Sequence, residues 1–330
     1  MSRASDFAHS PVLLEEVIGL LAIRPEGVYI DCTLGGAGHA SAILERLQAG
    51  GRLIGLDQDD DALAAAESRL ASSDSKARYD VVHSNFTDIA AVLTEMGLAG
   101  ADGILADLGV SSWQLDTAER GFAYNQDGPL DMRMDRRQDM TAARLVNTAS
   151  EPELTRILRE YGEERFASRI SRAIIARRSR EPITTTRALA ELIRAAMPAA
   201  ARQEAQHPAK RSFQALRIAV NGELSVLERL LADAPALLNE HGRLCIITFH
   251  SLEDRLVKDA FRTLENPCVC PRNMPICACG RQSQGKVVTR RPIMASLTEQ
   301  AANPRSRSAR LRCFEKEQTR IMMSGGNSHA

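Results

Sequence analysis

No run of about 18 consecutive apolar residues occurs in the chain, so no membrane-spanning helix is expected. Met1 to Ser10 holds no apolar run either, and no export signal is expected there. Net charge is also absent, because 42 Lys and Arg balance 42 Asp and Glu. The total therefore says nothing about partners; only the distribution of charge can. The seven cysteines are an odd number with four clustered, which favours reduced thiols over a disulfide framework. Together these features point to a cytoplasmic protein. Two enzyme signatures are missing as well. Without a clean Gly-x-Gly-x-x-Gly or a hydride-site trio, a nicotinamide-dependent oxidoreductase is disfavoured. Without a Gly-x-Ser-x-Gly elbow, the adjacent His250 and Ser251 do not read as a hydrolase pair. Ser251 with Asp254 reads instead as a helix capping box, and His250 as a residue lining a substrate pocket near Asp107.

What the chain does contain is a glycine turn in a telling place. Val28 to Cys32 reads as a buried strand, Gly35, Gly36 and Gly38 punctuate the turn after it, and Ala40 to Leu47 reads as a helix. Such a turn brings bare backbone N–H groups close to a ligand. Asp57 ends the next apolar run, Leu53 to Leu56, 19 residues after Gly38. That matches the ~20 residues expected for an acid that grips ribose hydroxyls in a nucleotide-binding α/β fold. Tyr79 to His83 and Ala101 to Leu108 read as further strands, with helices at Pro11–Ile23, Asp59–Leu70 and Thr87–Met96. Ser10 is the expected cap of the first of these helices. Alternation of this kind predicts a parallel sheet, whose ligands bind outside the carboxyl ends of the strands. Asp31, Asp57, Asn85 and Asp107 are expected to gather at that edge.

The alternation stops after Ser111. Up to Ser212 no convincing strand occurs, while Glu151–Arg180 and Thr186–Met197 read as helices. Residues 120–220 hold 19 Lys and Arg against 12 Asp and Glu, a local +7 that leaves −7 for the remainder. The sheet pattern resumes at Gly242–Phe249, after a long helix at Phe213–Leu231. A helix at Leu252–Leu264 and a closing strand pair, Lys286–Ile293 with Ala309–Glu315, complete it.

Several segments, taken in order and spacing, sharpen this picture. They are His9-Ser10-Pro11-Val12-Leu13, the glycine turn, Asp107 to Gln114, Phe213 to Leu224, Phe249 to Arg255, and Asn303 to Arg312. The set resembles the bacterial ribosomal RNA small subunit methyltransferase H family, also called MraW, over nearly the whole chain. The resemblance implies an α/β, Rossmann-like class I methyltransferase sheet of seven strands, the last pair antiparallel, with an inserted all-helical domain. The expected divisions are 1–112 and 213–330 for the methyltransferase domain and 113–212 for the helical insertion, with a Cys-rich loop at 267–280. The implied activity is methylation of the exocyclic N4 of a cytosine in the decoding region (P site) of 16S rRNA, with S-adenosyl-L-methionine as donor. A noncatalytic RNA-binding or ribosome assembly protein that kept the donor fold is the alternative.

By resemblance, Gly35, Gly36, Ala37, Gly38 and His39 lie against the methionine part of the donor, Asp57 on its ribose and Phe86 beside its adenine, with Asp107 and Gln114 completing the pocket. The residues alone support the glycines and Asp57; Phe86 reads equally as a core aromatic. Asp107 is the candidate acceptor for an N4 proton, with donor binding alone as its other reading, and His250 is the second catalytic candidate. Many amino-group methyltransferases follow this Asp or Asn with Pro-Pro and an aromatic. Here Leu108-Gly109-Val110 follows, so Trp113, Phe122 or Tyr124 is left to stack a base, a core role for Trp113 being the other reading. Extruding a base costs a few kcal/mol, which phosphate contacts must offset. Arg133, Arg136, Arg137, Arg177, Arg178, Arg180, Lys210 and Arg211 are the candidates, against the reading of a solvated, ion-paired face. The expected partner is 16S rRNA or the small ribosomal subunit, with no membrane and no DNA, for a monomer or homodimer. Finally, Cys268-Val-Cys270 and Cys277-Ala-Cys279 form two C-x-C pairs, which read either as a tight zinc knuckle or as plain reduced thiols.

Overall fold

The computed structural model describes residues 11–203, 207–271, 274 and 278–317; His9, Ser10 and Cys277 lie outside them. Seven strands form one sheet: β1 (Val28–Asp31), β2 (Arg52–Asp57), β3 (Arg78–His83), β4 (Ala101–Asp107), β5 (Leu238–Thr248), β6 (Gly285–Val287) and β7 (Arg310–Lys316). Their order is β3-β2-β1-β4-β5-β7-β6. β1 to β5 are mutually parallel, whereas β7 runs antiparallel between β5 and β6. Alternate residues feed opposite faces, as the two-residue period of a strand requires. Tyr29, Leu53, Leu105, Cys245, Ile247 and Leu311 enter one buried cluster. Ile30, Ile54, Ile104, Ala106, Leu244 and Phe314 enter the other. With both faces covered, the parallel strands read as near-continuous apolar runs, which is why they were visible in the sequence.

A third cluster belongs to the segment between β4 and β5. Phe122, Leu145, Leu154, Ile157, Ile170, Ile174, Leu189 and Ile193 pack there, joined by Phe213 and Leu216. Two long helices expected in this half are each split. Glu151–Glu160 and Ala167–Arg178 are separate because a Cβ at Gly162 would lie 2.6 Å from the Arg211 carbonyl, and Glu163 turns left-handed at φ 48°. Lys210–Asn221 and Glu223–Leu237 are separate because Gly222 adopts φ 62°. The first helix is shorter than expected, Leu14–Leu21, since Leu13 is left-handed (φ 54°). The expected closing strand is likewise short. The regular strand ends at Val287; Val288 and Thr289 still bond to Cys313 of β7, and a bridge to β7 re-forms at Ile293, opposite Leu311, past Pro292, which has no N–H to give a ladder.

One buried group ties the helical segment to the sheet. Asp59, at the start of the helix Asp60–Leu70, caps it by accepting from the Asp61 N–H at 3.1 Å. Its other oxygen accepts from Gln114 Nε2 at 2.7 Å and pairs with the Arg120 guanidinium. Arg120 also donates to the carbonyls of Arg133 (2.9 Å) and Met134 (3.2 Å). Asp59 and Arg120 are only 3% and 2% exposed, so removing one leaves the other charged and unsolvated. Replacing Arg120 by Met is therefore expected to lower the unfolding free energy by about 3–5 kcal/mol in a urea titration. A loss below ~1 kcal/mol, the range of a surface ion pair, would contradict this role.

Candidate active site

Beyond the carboxyl ends of β1, β2, β3 and β4 lies a cleft of about 230 Å³. The glycine turn forms its floor. Gly35 (φ 49°) and Ala37 (φ 56°) are left-handed, and Ala37 begins the helix Gly38–Leu44. A Cβ at Gly38 would stand 3.1 Å from the Pro11 ring, which closes over the turn, so any larger residue there has to push that ring aside by a few tenths of an ångström. Asp57 ends β2 with both oxygens fixed: Gly35 N–H donates to Oδ2 (2.8 Å) and Asp59 N–H to Oδ1 (2.9 Å). Burial nevertheless raises its pKa to about 6. Asn85, after β3, caps the short turn that carries Phe86 and donates to Gln58 Oε1 at 2.9 Å.

Asp107 ends β4. Its backbone N–H donates to Thr33 Oγ1 at 2.7 Å, which fixes the strand end against the glycine turn. Its carboxyl Oδ1 is buried and has no hydrogen-bond partner among the described residues. Burial, with the negative charges of Asp31 and Glu253 nearby, raises its pKa well above the ordinary carboxylate range. His39 Nδ1 lies 3.9 Å from Asp107 Oδ2, and His39 Nε2 lies 3.0 Å from the Val12 carbonyl. Burial lowers the pKa of His39 to about 4, so it is a neutral imidazole. Donation to the Val12 carbonyl then leaves its Nδ1 lone pair toward Asp107.

The cleft is lined by Gly35, Gly36, Gly38, His39, Asp57, Phe86, Asp107, Trp113 and Gln114, all of which the sequence singled out. Ala37 is fully buried beneath them as the helix cap. Asp31, expected at the rim, lies under it at 1% exposure and accepts from the Thr33 N–H at 3.1 Å. Gln114 holds Asp59 with its amide nitrogen, and its carbonyl accepts from the Ser111 N–H at 3.0 Å. On the β5 side the wall is Phe249 and Glu253; His250, expected to line the pocket, is not among the lining residues and serves instead as the cap of the helix Ser251–Glu265. The capping pair is thus His250 with Glu253, one residue before the expected Ser251 with Asp254. Glu253 accepts from the Phe249 N–H at 2.8 Å and lies 3.1 Å from His250 Nε2, while Asp254 is held by Arg312 (2.7 Å) and Arg310 (3.0 Å).

Thr33, Asn221 and Arg305 are among the lining residues that the sequence reading gave no place in the cleft, although the last two lie in segments that carry the resemblance. Asn221 donates to the Met132 carbonyl and accepts from the Met134 N–H, both at 2.8 Å, and so pins the helical segment beside the cleft. Nothing in its local sequence marks that role. Arg305 has one nitrogen on Asp116 at 2.6 Å, while its Nη1 is buried without a partner. Arg305 belongs to residues 281–312, a second basic stretch in the sequence with eight Lys and Arg, whose place at the cleft the charge pattern alone does not give.

The proposed phosphate contacts fall into two groups. Arg133 is bound to Asp131 (2.7 Å), Arg137 to Asp135 (2.8 Å), and Arg136 lies 3.3 Å from Asp61. Arg178 donates to the Val146 and Ala149 carbonyls, and Arg177 pairs with Glu181. Arg180, Lys210 and Arg211 are exposed.

This strand order, with a glycine turn after β1 and an acid ending β2, defines an α/β protein of the Rossmann-like methyltransferase class. The chain belongs to the MraW methylase family, whose model matches residues 6–317. It is 55% identical over 316 residues to a ribosomal RNA small subunit methyltransferase H of Lachnospira eligens, covering 96% of this chain and all of that one. A protein of the same name from Symbiobacterium thermophilum is 55% identical, covering 94% and 98%. Another from Clostridioides difficile is 51% identical, covering 94% and 99%.

Asp31 gives this site a measurable pH signature. Burial raises its pKa to about 7. A carboxyl raised on folding contributes stability below its unfolded value and loses it as pH rises through the folded value. Asp31→Asn keeps the acceptor for Thr33 and cannot ionise. Between about pH 5 and pH 8 the variant is expected to gain about 2–3 kcal/mol relative to the parent in urea unfolding. Parallel stability curves would show that Asp31 is not held uncharged.

Proposed function

We propose that the chain transfers a methyl group from S-adenosyl-L-methionine to the exocyclic N4 of a cytosine in the P-site decoding region of 16S rRNA. The names of its relatives support ribosomal RNA of the small subunit as substrate. The observation that carries the chemistry is the Asp107 carboxyl, which lines the cleft, is a quarter exposed, and has one oxygen with no hydrogen-bond partner among the described residues.

The cleft fits such a donor. The glycine turn brings backbone close to a methionine group, the oriented Asp57 carboxylate would accept from ribose hydroxyls, and Phe86 would flank adenine. When bound, the donor supplies a methyl already activated on a cationic sulfur, leaving the protein to align the reactants. A cation in the cleft favours the ionised form of Asp107. The cytosine N4 lone pair is delocalised into the ring. Asp107, accepting a hydrogen bond from N4–H, would draw electron density back onto the nitrogen and take the proton once the N4–carbon bond has formed. His39 limits where that carboxylate can turn, and His250 acts through Glu253, keeping the second carboxylate fixed behind the base.

Trp113 lines the same cleft and is the stacking platform closest to Asp107 in sequence. The exposed Lys210 and Arg211 supply phosphate contacts, with Arg136 as a further candidate. Arg133 and Arg137, already held by carboxylates, serve mainly to shape the segment that carries them.

Small ribosomal subunits from a strain lacking this activity, incubated with methyl-labelled donor, provide the test. The wild-type chain is expected to label one cytosine of 16S rRNA, read as N4-methylcytosine after nuclease digestion. Asp107→Ala is expected to keep the fold and donor binding but to lower the rate at least ~100-fold. Unchanged turnover in that variant would remove Asp107 from the chemistry, and label on another base or atom would overturn the substrate assignment.

A further inference from the structure

The Cys-rich segment between the helix Ser251–Glu265 and β6 has no part in the cleft. That helix starts at the ligand edge, after β5, and runs back along the sheet. Gly285, which opens β6, pairs with Lys316, one residue beyond the Glu315 that pairs with Arg243 early in β5. The segment therefore sits at the edge of the sheet opposite the active site. None of its described residues joins a hydrophobic cluster, and Val269 and Met274 are exposed. Hydrophobic burial therefore does not account for its shape.

The sulfurs of Cys268, Cys270 and Cys279 nevertheless converge, all lying within 4.8 Å of one another. Cys268 and Cys279 are 3.8 Å apart. Four sulfurs bound tetrahedrally at about 2.3 Å from zinc stand ~3.8 Å from each other, whereas a disulfide requires ~2.05 Å. The Ala278 N–H lies 3.3 Å from Cys270 Sγ, a donation that favours the thiolate a metal needs. Gly280, directly after Cys279, adopts φ 65° and turns the chain away from the cluster.

We infer that Cys268, Cys270 and Cys279 are ligands of a structural zinc ion. Binding releases the thiol protons to solvent and involves no change of oxidation state. The site lies at the sheet edge away from the cleft, so the ion shapes the segment rather than taking part in catalysis. The buried Cys32, Cys245 and Cys313 are core residues and play no part.

The test uses untagged, full-length protein purified without chelator. One zinc per chain by elemental analysis is expected. Cobalt(II) exchanged into the site is expected to show intense tetrahedral visible bands and a thiolate charge-transfer band. Cys268→Ser with Cys279→Ser is expected to lose the metal and to become sensitive to protease between residues 266 and 284. Donor affinity in that variant stays within about twofold of the parent, because the cluster is remote from the cleft. Metal-free protein whose thiols all react freely, or cobalt bands typical of six-coordinate oxygen ligands, would overturn the inference. The cobalt spectrum of the parent keeps the test decisive should the double variant fail to fold.

Discussion

Three carboxylic side chains, the buried Asp31 and the half-buried Asp57 and Asp107, stand at the ends of three adjacent parallel strands, and the geometry of the ligand edge depends on how their removal from water is tolerated. Burying carboxylates together opposes ionisation, and the chain offsets the cost unevenly. Asp57 receives two backbone N–H groups and keeps a fixed orientation. Asp31 receives one and lies below the rim. Asp107, whose carboxyl lines the cleft, is left with one buried oxygen that nothing in the described protein satisfies. Unsatisfied buried polar atoms are uncommon in folded proteins and call for an explanation; an amino group brought by substrate supplies one.

The same edge holds the two halves of the molecule in register. Asp59 begins the helix after β2, yet its second oxygen is committed to Gln114 and Arg120 across the chain. Arg120 in turn holds the carbonyls of Arg133 and Met134, and Asn221 grips Met132 and Met134 from the other side. The helical segment is thereby fastened beside the cleft by hydrogen bonds at its entry and exit, and its apolar core remains separate from the two clusters of the sheet. An arrangement of this kind places a substrate-binding surface next to a donor site while each half keeps its own packing.

Much of this was legible in the sequence. The strands stood out because burial on both faces makes them short apolar runs bounded by glycine and acid, and Asp57 and Asp107 stood out because they terminate those runs. The tertiary links were not legible. Asp59 and Arg120 are 61 positions apart, and neither has a local pattern that names the other. Gly162 and Gly222 sit in helical periodicity that gave no sign of the breaks, since one is forced by a neighbouring backbone and the other by its left-handed turn. The capping pair at the start of the helix after β5 was displaced by one residue because Asp254 is drawn to Arg310 and Arg312, which lie on a distant strand. The local +7 of residues 120–220 overstated the free positive surface. Arg120, Arg178, Arg202 and Arg217 are spent on carbonyls and buried carboxylates.

Carboxyl-carbon NMR of aspartate-labelled, donor-free protein measures the central claim most directly. Titrated from acid to alkaline pH, one resonance is expected to change well above the normal carboxylate range and to disappear in Asp107→Asn. If the resonance lost in that variant instead titrates near 3.8, the ordinary value for an exposed aspartate, then Asp107 is not the buried, proton-avid acceptor on which this account rests.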